Sequence, residues 1–148
     1  MADLTVTLTE NITVDGHQYG GTKSFTVSGI NEVFRRKVTC PNGHSTTIAT
    51  FAADVKTAAN AIAVGDAKYI RITNIDTSDI ELAIVGAATL YQITLSAGQT
   101  HVLGSPDDLM LAEDDTTPSF GTMADIASIQ VQPVSSSPVD IEILVASV

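Results

Sequence analysis

Hydrophobic and polar residues alternate along most of the chain with a period of two, the spacing of strands buried on one face. The clearest case spans residues 69–86. Ile70 and Ile72 share one side of a first run and Ile80, Leu82 and Ile84 one side of a second, while Arg71, Thr73 and Glu81 point the other way. Asp76, Thr77, Ser78 and Asp79 separate the two runs. Short polar side chains of this kind bond nearby backbone amides in tight turns, so the pattern predicts a β-hairpin.

The opening is equally regular. Leu4, Val6 and Leu8 alternate with Thr5, Thr7 and Thr9, giving a strand with an aliphatic face and a threonine face. Residues 11–14 and the pair Asp15-Gly16 predict a second short arm and a turn. Tyr19-Gly20-Gly21 interrupts the pattern, and a strand resumes over 24–27 until Gly29 ends it. In residues 32–40, Phe34, Val38 and Cys40 share a face with Arg36. That face is consistent either with a sheet edge, where the guanidinium reaches water, or with a bulge that shifts the register. Pro41-Asn42-Gly43 turns the chain into a returning strand at 45–51. Val55, Ala58, Ala59 and Ile62 then have helical spacing, so residues 52–64 form either a short helix or a loop over the end of the fold. Further strands are predicted at 88–95, 99–103, 126–134 and 139–146, with a long acidic excursion at 107–120. Eight to ten strands joined mostly by short turns predict an all-β fold, an antiparallel β-sandwich of jelly-roll or immunoglobulin-like type in a single domain over residues 1–148.

Composition narrows the chemistry. A chain of 148 residues can close one core without disulfides or metal. Seven basic against 17 acidic residues give a net charge of −10, which opposes binding to nucleic acid or to an anionic membrane. The single cysteine, Cys40, cannot form an internal disulfide. The first residues lack a basic stretch followed by an unbroken apolar run, and no apolar run approaches membrane-spanning length. The expectation is a product made in a cytoplasm without a signal peptide.

Catalytic signals are weak. Cys40 and His44 are a thiol and an imidazole four residues apart, but a structural zinc site needs about four ligands and no second cysteine exists. Asp107, Asp108, Asp114 and Asp115 supply carboxylates for a hard cation without the ligand order of a calcium loop, so a solvated acidic loop is the preferred reading. No nucleophile elbow, phosphate-binding loop or dinucleotide fingerprint occurs. The reading is therefore a non-enzyme with no cofactor. Arg35, Arg36 and Lys37 form the only basic cluster. They read either as charges that protect a strand edge or as a docking stripe for an acidic partner.

The opening Met-Ala-Asp-Leu-Thr-Val-Thr-Leu-Thr-Glu, residues 28–36, residues 69–74 and the closing Ile-Glu-Ile-Leu-Val-Ala-Ser-Val resemble small virion structural proteins of marine tailed phages, especially cyanophages. The resemblance implies a capsid decoration or cement protein on the capsid surface, with the major capsid protein as partner, self-associated as a trimer or dimer. The alternative is a tail or fibre module that recognises host surface glycans. The N-terminal strand, the stripe Arg35, Arg36 and Lys37, and the acidic residues Asp107, Asp108, Asp114 and Asp115 are the candidate contacts.

Overall fold

A computed structural model describes residues 1–56, 58–107, 109–110 and 120–148. The body begins with β5 (Glu32–Cys40), β6 (Thr46–Ala52), the two-residue β7 (Ile62–Ala63) and β8 (Ala67–Asn74). It continues through β9 (Ile80–Gly86), β10 (Leu90–Leu95), β11 (Thr100–Leu103), β12 (Ile126–Pro133) and β13 (Val139–Ser147). One sheet runs β11-β8-β13-β5 and the other β10-β9-β12-β6-β7. The strands β5 and β6, β8 and β9, β10 and β11, and β12 and β13 are consecutive in the chain, yet each pair is split between the sheets at matching positions. That arrangement is the jelly-roll order and resolves the two sandwich types open in the sequence.

The alternation of β13 shows why the sheets close. Val139, Ile141, Ile143 and Val145 have no accessible surface, and they face a core shared with Ile70, Ile72, Ile80, Leu82, Ile84 and Ile129. At one side Tyr91 Oη lies 3.1 Å from His101 Nε2, which links β10 to β11 across the two sheets. Burial pushes the His101 imidazole below its ordinary value, which favours the neutral ring in that contact.

Three local expectations change. Residues 69–86 do not form a hairpin: β8 and β9 lie in different sheets, and residues 75–79 arch between them. The turn chemistry is legible but its direction is not, because the apolar faces meet across the core rather than side by side. Fully buried Asn74 fixes the arch. Its Nδ2 donates to Ser78 O at 2.8 Å and to Leu95 O at 3.1 Å, and its Oδ1 accepts from Asp76 N at 3.1 Å. Asp76 in turn accepts from Thr77 N and Asp140 N, bonds that hold its carboxyl below the usual range. Second, of the short helix and the loop left open at 52–64, the described residues there form no helix but turns and β7, paired in parallel with β6. Alanine-rich sequence has helix propensity, but a short isolated helix is marginal without packing. Third, Gly29 does not end its strand. It adopts φ +82° within β4 (Thr22–Ile30), where the register shifts by one residue and the chain continues into β5.

Candidate interaction surface

The first thirty residues build an arm outside the sandwich. β1 (Ala2–Thr9) pairs antiparallel with β4, and β2 (Thr13–Val14) pairs with β3 (His17–Gln18) at the tip. The bonds from Glu10 N to Gly21 O and from Tyr19 N to Ile12 O carry one register between the two ladders. The result is a continuous ribbon of roughly 33 Å from Leu4 to Val14, at about 3.3 Å per residue. Asp15 and Gly16 both take positive φ, the geometry of a two-residue hairpin turn. Gly20 is required where the strands draw closest, since a Cβ there would fall 2.0 Å from Glu10 O.

The two faces of the arm differ sharply. One is uncharged and polar: Thr5, Thr7 and Thr9 pair with Thr26, Ser24 and Thr22 through hydroxyl contacts of 3.0–3.5 Å, and Asn11, Thr13 and Gln18 bond one another toward the tip. The other carries Leu4, Val6 and Leu8 opposite Val27, Phe25 and Lys23, followed by Ile12 opposite Tyr19. Only its base is covered. Leu4, Val6 and Val27 pack on Tyr69, Leu144, Ala146 and Ile30, and Phe25 leans on the Tyr69 ring. Leu8, Ile12, Val14, Tyr19 and Phe25 remain 46% to 68% exposed. The aliphatic and threonine faces of the first strand are legible in its alternation; the pairing that doubles each face depends on β4 and is not.

The basic cluster divides between two surfaces. Arg35 and Lys37 lie on the outer face of β5, where Arg35 Nη2 meets Glu142 at 2.7 Å and Lys37 Nζ meets Asp140 at 2.7 Å on β13. Arg71, from β8, reaches the other oxygen of Glu142. The hydrogen bond from Arg35 holds Glu142 below the usual carboxylate range, and Lys37 with Thr39 does the same for Asp140. With both folded values lowered, these pairs contribute stability above the unfolded carboxylate range and lose it as pH falls through the folded values. Arg36 faces the opposite side. The unbroken β5–β13 register excludes a bulge, and Arg36 sits at the edge with its guanidinium 5.7 Å from the Phe34 ring centre. It lines a cleft of about 560 Å³ with Phe34, Val55, Asn60, Ile62 and Asp66.

The remaining candidates separate. Cys40 is fully buried, and burial pushes its thiol up, while His44 stands exposed on the following turn. The expected result with an aromatic disulfide reagent is no thiol release from the native protein and one equivalent after denaturation. Prompt native reaction would place the thiol elsewhere. The Asp107 amide donates to Ser105 Oγ, whereas Asp108, Asp114 and Asp115 lie outside the described residues. No group of three His, Cys, Asp or Glu residues among the described residues could hold a metal ion.

Fold and surface together define a jelly-roll sandwich that carries a two-faced β-arm. Comparison with known proteins finds no matching family model, no matching curated protein and no matching solved structure.

Proposed function

We propose that the protein is a non-enzymatic structural subunit of a phage virion, a decoration or cement protein that binds at junctions between major capsid proteins. The observation that carries this reading is the arm. Two strands alone are marginal in water, and this ribbon leaves most of its apolar face uncovered. Such a surface suits repeated contact with other protein, and many modest contacts on a symmetric shell add up through avidity. The threonine-rich face and the paired charges on β5 and β13 supply polar contact without a strong field.

The glycan-binding alternative draws less support. Stacking on sugar rings needs exposed aromatic faces, yet Tyr69 is buried beneath the arm and half-buried Tyr91 is bonded to His101. Exposed Tyr19 belongs to the apolar row of the arm itself. A stoichiometric gel of purified virions tests the choice. Decoration predicts hundreds of copies per particle in fixed ratio to the major capsid protein. A handful of copies, located at the tail, would contradict it.

A further inference from the structure

We infer that the free edge of β5 accepts an extended acidic segment of a partner protein as a fifth strand of the β11-β8-β13-β5 sheet, with a carboxylate opposite Arg36. The inference does not depend on the virion reading. β5 stands at one end of its sheet, and among the described residues no strand pairs with its second edge. At nine residues it is the longest edge strand of the sandwich, against six in β10, four in β11 and two in β7. Such an edge presents a row of backbone donors and acceptors to an extended chain. On the far side of the sandwich Tyr91 and His101 bridge the two sheets. Here β7 pairs only with Phe51 and Ala52, and the cleft of about 560 Å³ stays open beside β5.

The side chains of β5 decide which segment fits. Phe34, Arg36 and Val38 stand opposite Val145, Ile143 and Ile141, which have no accessible surface, so all three belong to the face turned toward the other sheet. Arg35 and Lys37, on the outer face, already have Glu142 and Asp140. Arg36 forms no ion pair among the described residues, and Glu32 and Asp66 line its cleft without pairing with it. No flat surface can meet three successive strand residues, but a strand laid alongside can, because its own side chains alternate in the same way. Its acidic residue then enters the cleft at Arg36, and the residues two places before and after it meet Phe34 and Val38. The same guanidinium guards the edge. A second β5 laid antiparallel with the two centres opposed would set Arg36 against Arg36, which disfavours self-pairing and leaves the edge to an acidic strand.

Two end-blocked peptides test this, Thr-Thr-Val-Thr-Glu-Thr-Val-Thr-Thr and the same chain with Lys in place of Glu. Each is titrated into the isotope-labelled full-length protein at physiological salt, where the field of a net charge of −10 is screened beyond about 8 Å. The acidic peptide is expected to shift the backbone amide resonances of β5, to slow their exchange with solvent, and to bind at least about tenfold more tightly than the basic one. Arg36→Glu is expected to reverse that order and Arg36→Gln to level it, both with nearly unchanged thermal unfolding because the side chain is exposed. A merely structural guanidinium would not exchange one peptide preference for the other. Equal affinity of the native chain for both peptides, binding of neither at about 1 mM, or resonance shifts confined to another edge overturns the inference.

Discussion

Asn74→Ala is expected to destabilise the protein by roughly 2–4 kcal/mol, because it removes three hydrogen bonds at a site with no accessible surface. The backbone carbonyl of Leu95 loses its side-chain donor in a buried setting, and Ser78 O and Asp76 N lose partners in part-buried ones. The arch between β8 and β9 also loses the side chain that joins it to β10 in the other sheet. For a chain of this size the loss corresponds to a fall in Tm of about 10 °C. Thr73→Ala, on the outer face where its hydroxyl meets Thr100, should change stability by less than about 0.5 kcal/mol. Denaturant titration of the two variants checks the contrast. Equal small losses would mean that Asn74 does not hold the arch.

Asn74 also marks the limit of what the sequence makes legible. Alternation identifies nearly every long strand, since a period of two is a property of one strand and its buried face. Which strand pairs with which is not. The runs around Ile70 and Leu82 differ in sheet because their connection has five residues and is anchored by a buried side chain, and a bond from Asn74 to a residue twenty-one positions away leaves no local trace.

The same distinction governs the surface. The adjacency of Arg35, Arg36 and Lys37 suggests one stripe, but successive strand residues point to opposite faces, and Glu142 and Asp140, more than a hundred residues on, complete the outer pairs. Reversing Arg35 and Lys37 to glutamate would therefore set like charges across β5 and β13, disturbing the sheet as well as any contact made there. The arm is half legible. Leu4, Val6 and Leu8 announce an apolar face, whereas its continuation through Ile12 and Tyr19 depends on a register carried past Gly20 and Gly21, residues that read as a break.

The second large effect is expected at that continuation. Ile12 and Tyr19 are 52% and 68% exposed, so Ile12→Asp with Tyr19→Asp removes no core packing and should leave the thermal unfolding of the sandwich nearly unchanged. The same pair of changes places two carboxylates on the apolar face, where any protein laid against it must bury them. Loss of an aromatic anchor and unpaired burial of charge each cost contact energy, so assembly should weaken by a factor of at least about a hundred.

On the proposed virion reading, saturation binding to particles stripped of this protein measures that directly, with the native chain and the Ile12→Asp, Tyr19→Asp variant compared at equal concentration. The arm as the assembly surface predicts that the native chain rebinds to its full complement while the variant, folded and equally stable, is lost on washing. Rebinding of the variant to the native level would contradict it.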